Sequence, residues 1–260
     1  MKVSIITACY NAEKTIEETV RSVAGQTYKD IEYIIVDGAS KDSTLSILEK
    51  YKDKISKLIS EPDNGVFNAQ NKGIKAATGD LIFILNADDV FINELVVEQF
   101  VNFTKNRTEE VILGDIILLD KYTGKVYHEK QQLIDDIQLL KSTVFHPATF
   151  FKREVFEKYG LYNEENRITS DYEWYVNYFR KNNGNYAYLD KPISVFSMSG
   201  LSSNEEHGKI HQTERNKIQE KYFSQKQIKI FKILNSLFSR KISKISFRKK
   251  LAKFGLNTIY

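Results

Sequence analysis

Apolar and polar positions alternate between two periods along the N-terminal part of the chain. Val3–Ala8, Ile31–Val36 and Leu81–Leu85 are short, nearly continuous apolar runs, and Lys57–Ser60 is a weaker one. Runs of that length, rich in β-branched residues, predict buried strands. Between them the spacing turns helical: Ala12–Ala24 places Ile16, Val20 and Val23 on one face, and Asp42–Tyr51, Gly65–Ala77 and Asn93–Phe103 follow suit. Strands separated by helices predict βαβ units and a largely parallel sheet covered on both faces. Beyond Val111 the alternation loosens. Val111–Leu119 and Val126–His128 read as paired strands around Lys121–Gly124, followed by a helix at Ile134–Lys141 and an extended Ala148–Phe151. A helix at Thr169–Lys181 and an extended Tyr186–Met198 complete the pattern. Without internal repeats or a proline-rich linker, the expectation is one α/β body over residues 1–220, with halves at 1–110 and 111–220.

Charge separates a second region from that body. After Glu220 there is no acidic residue but 11 lysines and arginines, so removing them from the net charge of +4 leaves residues 1–220 at −7. In this tail, residues 221–260, Phe231, Leu234, Phe238, Ile242 and Ile245 step by three and four among the cations. A basic amphipathic helix of this kind reads as a binder of anionic membrane surfaces. The alternative is a helix packed on the body or on a second subunit, as in a homodimer. The acidic body argues against nucleic acid as a partner. One cysteine, Cys9, excludes an internal disulfide and fits a reducing compartment. No apolar run approaches membrane-spanning length and no signal peptide is expected, which points to the cytoplasm, peripheral on the inner face of the membrane if the tail binds lipid.

In an open α/β sheet the chemistry sits beyond the carboxyl ends of the strands. The segments at those positions are Thr7–Asn11, Asp37–Asp42, Glu61–Gly65 and Asn86–Asp89, three of them rich in carboxylates. Like charges gathered on one rim call for a cation among them. Hard oxygen donors such as Asp88 suit Mg²⁺ or Mn²⁺ completed by substrate phosphate oxygens. Asp88–Asp89 serves equally well as a cap for the next helix.

The ordered segments Ser4–Ala12, Ser22–Tyr28, Ile34–Thr44 and Ser60–Ile74, running on through Ala77–Asp80 to Asn86–Asp89, resemble the opening of the family-2 inverting glycosyltransferases, densely over about 90 residues and in patches to about residue 203. The resemblance implies a single Rossmann-like GT-A domain with a mainly parallel, mixed central sheet plus the basic helical tail. It further implies transfer of a hexosyl or N-acetylhexosaminyl group from a nucleotide sugar, UDP-linked by resemblance, to a saccharide or lipid-linked acceptor in surface polysaccharide or glycolipid assembly. Thr7, Ala8, Tyr10 and Asp37 match the base- and ribose-binding wall. Asp63 and Lys72 match residues lining the nucleotide pocket. Asn86, Ala87 and Asp88 stand where relatives carry Asp-x-Asp, the metal-holding motif; Asn86 keeps a carbonyl oxygen but removes one negative charge.

Thr169–Trp174 resembles the segment that supplies the catalytic base, with Asp171 at the matching position and Ser170 where many relatives have glutamate. A helix cap is the competing role for Asp171. Trp174, three residues on, shares its helix face and is expected on the acceptor side or as a core anchor. His146, in the segment matching the acceptor wall, is expected to contact acceptor or diphosphate, or to make a structural hydrogen bond. Ser199–Ser203 resembles a loop that closes over the donor, and His207 and His211 establish no metal site. Two other readings stand beside transfer: a sugar-nucleotide pyrophosphorylase, disfavoured because Thr7–Ala12 has neither glycine nor lysine to hold a triphosphate, and a non-catalytic sugar- or nucleotide-binding module, which needs no Asp171.

Overall fold

The computed structural model describes residues 1–120, 123–182, 185–197 and 205–238. The first half follows the strand–helix alternation. Strands β1 (Val3–Cys9), β2 (Ile31–Asp37), β3 (Lys57–Ser60) and β4 (Leu81–Ile84) alternate with helices α1 (Ile16–Ala24), α2 (Thr44–Glu49) and α3 (Val66–Ala76). These four strands are all parallel, in the order β3-β2-β1-β4. Their carboxyl ends therefore lie on one rim.

The remaining strands are β5 (Val90–Phe91), β6 (Val111–Leu119), β7 (Val126–Glu129), β8 (Thr149–Lys152) and β9 (Tyr186–Ser197). They extend the sheet as β4-β8-β6-β9-β5, with β7 paired to β6. β8 runs antiparallel to both β4 and β6, while β9 is parallel to β6, so the sheet is mixed. Because β8 opposes β4, with Phe83 facing Phe150, its first residues stand beside the carboxyl end of β4. The short 3₁₀ turn His146–Ala148 that leads into it is thereby delivered to the same rim.

Alternation along each strand sorts side chains onto two faces. Ile5, Tyr33, Ile35, Leu81 and Phe83 pack with α1, α2 and α4 (Val96–Thr104) on one face. Ile6, Ile34, Val36, Ile82 and Ile84 pack on the other with α3 and four further helices: α5 (Asp136–Lys141), α6 (Glu154–Tyr159), α7 (Ser170–Asn182) and α8 (Glu205–Tyr222). Each such side chain, fully buried, contributes about 1.5–3 kcal/mol. The apolar spacing had indicated neither β5, two residues long, nor α6.

α8 runs through residue 220 without a break, and α9 (Gln225–Phe238) folds back against α5 and α8. Phe223, Ile228 and Phe231 join the core of the α3 face. The start of the basic region is thus covered by the body. The side chains of Leu234 and Phe238, the stripe positions Ile242 and Ile245, and the donor-loop segment Ser199–Ser203 lie outside the described residues. No helix among those described is long and apolar enough to cross a membrane.

Candidate active site

The loops after β1 and β2 are stitched together by their own backbones. Asn11 N–H donates to Ser40 Oγ (2.8 Å) and Asn11 Oδ1 accepts from Lys41 N–H (2.9 Å). Asn11 (φ 47°) and Ala39 (φ 62°) both sit in the left-handed region, at a cost of about 1 kcal/mol for alanine that the surrounding bonds must offset. Asp37 is fully buried and accepts from Ser60 Oγ (2.7 Å), Ser40 N–H (3.1 Å) and the Cys9 thiol (3.8 Å). Burial and the neighbouring Asp37 push the thiol well up, so Cys9 stays protonated and donates. Thr7 is likewise buried, its hydroxyl paired with Tyr33 (3.1 Å), and Ala8 packs on the opposite face. Tyr10, 61% exposed, is the side chain this segment presents to solvent.

Asp63 lies directly over Gly38: a β-carbon there would stand 2.5 Å from its Oδ2, so a larger residue would displace that carboxylate. The other oxygen accepts from Gly65 N–H (2.9 Å) at the entry to α3. Lys72 reaches back from α3 to Glu61 (2.8 Å) and the Pro62 carbonyl (3.0 Å), clamping the loop that carries Asp63.

After β4, Asp88 is partly exposed whereas Asp89 is fully buried. Asp89 is architectural, accepting from Asn86 Nδ2 (3.4 Å) and from Ser197 N–H at the end of β9 (3.4 Å). With its amide nitrogen turned toward that carboxylate, Asn86 offers Oδ1 to Gln70 Nε2 (3.1 Å). Gln70 itself is buried, and its own Oε1 has no hydrogen-bond partner. No three His, Cys, Asp or Glu side chains among the described residues form a preformed metal cage. Asp88 and the second lone pair of Asn86 Oδ1 nonetheless fit a Mg²⁺ or Mn²⁺ ion that draws its other ligands from phosphate and water. Ala87 is the buried spacer between them.

Asp171 stands in the first turn of α7, partly open to solvent at its surface but deep enough to lose most of its hydration. That desolvation pushes its carboxyl up to about 6, against the opposing pull of two backbone N–H groups and Arg215. His146 is buried and its Nε2 pairs with the Tyr162 hydroxyl (3.0 Å). Burial drives its pKa down to about 4, so the imidazole is neutral. Of the two roles expected for His146, the structure displays the hydrogen bond. Trp174 corrects the acceptor-side expectation. It is 4% exposed, its indole N–H donates to Gly160 O (2.8 Å), and its ring stacks on Tyr178 and meets Phe151 edge-on, leaving no face for a sugar.

Several residues at this end were not singled out by sequence. Glu173 is a buried hub that accepts from Asn166 (2.6 Å), Lys221 (2.7 Å) and Asn163 (2.9 Å). Asn71 grips the backbone of Tyr162 through both its N–H (3.0 Å) and its carbonyl (2.9 Å). Glu214, Arg215 and Gln219 of α8 reach α5 and the entry to α7. Ile218 at a helical step was the only hint that these charges lie on a buried face.

A family profile described as Glycosyl transferase family 2 matches residues 4–160. An uncharacterized glycosyltransferase of Rickettsia prowazekii is 31% identical over 204 residues, which are 75% of this chain and 63% of that protein. The chain thus spans less than two thirds of that relative. Among solved structures, residues 1–349 of TarS from S. aureus in complex with UDP superpose with a TM-score of 0.66 at 21% identity, covering 98% of this chain and 70% of that one. A Pyrobaculum calidifontis mannosyltransferase bound to GDP-Man and Mn²⁺ superposes with a TM-score of 0.59 at 17% identity, covering 96% and 68%.

Proposed function

Because the chain belongs to glycosyl transferase family 2, we propose that it moves a sugar from a nucleoside diphosphate sugar to an acceptor hydroxyl with inversion at the anomeric carbon. The observation that carries this reading is Asp171: a carboxyl raised to about 6 that acts on Tyr162, the hydrogen-bond partner of His146 on the turn leading into β8. A base poised there is ionised at neutral pH yet basic enough to accept a hydroxyl proton. The acceptor oxygen forms its bond to the anomeric carbon while its proton passes to Asp171, and the nucleoside diphosphate departs on the opposite face. His146, neutral and bonded to Tyr162, shapes the wall rather than donating charge.

Tyr10, Asp37, Asp63 and Lys72, together with the backbone of Thr7 and Ala8, form the nucleotide side. UDP is the favoured nucleotide, supported by the complex of TarS with UDP. Asp88 and Asn86 would hold Mg²⁺ or Mn²⁺; when bound, the ion neutralises charge developing on the departing diphosphate. Mn²⁺ in the mannosyltransferase supports that assignment. Family membership removes the pyrophosphorylase reading. Assembly of a surface polysaccharide or glycolipid at the inner face of a membrane is the role that suits a lipid-linked or saccharide acceptor and a basic tail.

A panel of nucleotide sugars, with and without Mn²⁺, tests the reading by release of nucleoside diphosphate. Release from a UDP-sugar that requires the metal and is lost in Asp171→Asn is expected. Release from no donor, or full activity in Asp171→Asn, overturns it and leaves a binding module.

A further inference from the structure

Asp171 and α8 both lie beyond the segment matched by the family profile, and the inward face of α8 is spent on the approach to Asp171. Glu214 accepts four hydrogen bonds from the residues that lead into α7: Arg167 N–H (2.8 Å), Ile168 N–H (3.1 Å), Thr169 N–H (3.0 Å) and the Thr169 hydroxyl (2.9 Å). It is 8% exposed, so this carboxylate has exchanged water for those donors at the positive end of α7. Arg215, equally buried, sits 4.0 Å over the Tyr172 ring and donates to the carbonyls of Leu139 (3.0 Å) and Ser142 (2.8 Å). One turn on, Gln219 reaches the Leu140 carbonyl (3.0 Å) and the Tyr172 hydroxyl (3.3 Å).

Those bonds fix Arg215 against the residue next to Asp171, and neither acceptor carbonyl neutralises its charge. The groups that Asp171 acts on are Tyr162 from the preceding loop with His146 behind it, Tyr175 from its own helix, and Arg215 from α8. Tyr172, next to Asp171 in the chain, lies under Arg215, and beside Arg215 on α8 stand Glu214 and His211, the histidine with its pKa lowered by burial. Burial holds the three tyrosines protonated and His146 neutral. Arg215 is the cation of this set.

We propose that α8 is a working part of the active site, in which Glu214 and Arg215 are positioning residues for Asp171: Glu214 fixes the backbone from which the carboxylate projects, and Arg215 holds that carboxylate ionised. This rests on Asp171 as the base, and it extends the catalytic unit from α7 to α8. Arg215 lowers the Asp171 carboxyl, which counters part of its desolvation.

The test is a direct titration of the Asp171 carboxyl by ¹³C NMR in the full chain, assigned with Asp171→Asn. Removing the cation in Arg215→Gln is expected to raise the midpoint, while Arg215→Lys stays near wild type. In Glu214→Ala the amides of residues 167–169 are expected to exchange with solvent at least about tenfold faster, as buried bonds become locally open. An unmoved midpoint in Arg215→Gln, or unchanged protection in Glu214→Ala, overturns the corresponding half. If one variant does not fold, the other still decides its own half. Neither measurement needs a sugar donor, so failure here is distinct from failure of Asp171→Asn to abolish transfer.

Discussion

Asp171 is costly to the fold for the same reason that it is useful in a site. Its folded-state pKa of about 6 exceeds the 3.8 of a free aspartate, so the native state binds its proton more tightly than the unfolded chain does. Stability from this group is therefore complete below the unfolded value and declines as pH rises through the folded one. The full shift corresponds to about 3 kcal/mol, reduced to about 2 kcal/mol because the side chain is partly exposed. Asp171→Asn, the variant proposed to abolish transfer, is thus expected to raise stability by about that amount near pH 7.5. Thermal unfolding of both proteins should show the gain shrinking toward zero near pH 4; an equal difference at both pH values contradicts the desolvation argument. His146 contributes with the opposite sign. Its depressed pKa adds stability above the usual histidine range that is lost as pH falls from about 6.5 toward about 4, so it partly masks Asp171 in wild-type titrations.

At the scale of elements, the sheet faces and the helices α1–α5 and α7 follow from periodicity, because packing against a sheet demands an apolar stripe of fixed spacing. Ile16, Val20 and Val23 line α1 as their spacing indicates. α8 escaped that logic because its buried face is polar: Glu214, Arg215 and Gln219 are satisfied by backbone groups of α5 and of the entry to α7. Charges in such a pattern read as a solvated surface until their partners are known. α9 anchors this arrangement through Phe231, which is 7% exposed in the core of the α3 face. Phe231→Ala is expected to cost about 3 kcal/mol by leaving a cavity, measurable as a lower denaturant midpoint. A loss below about 0.5 kcal/mol, the size of a surface substitution, would mean that α9 is not part of the folded body.

Across the whole molecule, α3 joins two sets of loops. Gln70 holds Asn86 on the proposed metal side, and Asn71 holds Tyr162 on the side of Asp171. The division of charge, −7 in residues 1–220 against 11 cations after them, acts at longer range. Each basic residue near an anionic bilayer contributes about 1 kcal/mol, screened by salt. Flotation with phosphatidylglycerol vesicles at low ionic strength is expected to carry the protein upward and to fail when salt is raised. Protein that stays at the bottom with anionic vesicles at low salt would remove the membrane-binding role from the tail.

What the sequence determined by itself is the succession of strands and helices, the rim on which the chemistry gathers, and the type of group at each position, since these depend on local periodicity and on motifs contiguous in the chain. Asn86, Asp88 and Asp171 could be proposed from the sequence for that reason. Tertiary structure decided which of those groups stay accessible. Asp88 is partly exposed while Asp89 is buried under Asn86 and Ser197. Trp174 is a core residue because Tyr178 and Phe151 claim its faces. The positioning of Asp171 by Glu214 and Arg215 joins residues more than forty positions apart, and burial and hydrogen-bond satisfaction between such residues belong to the packed chain.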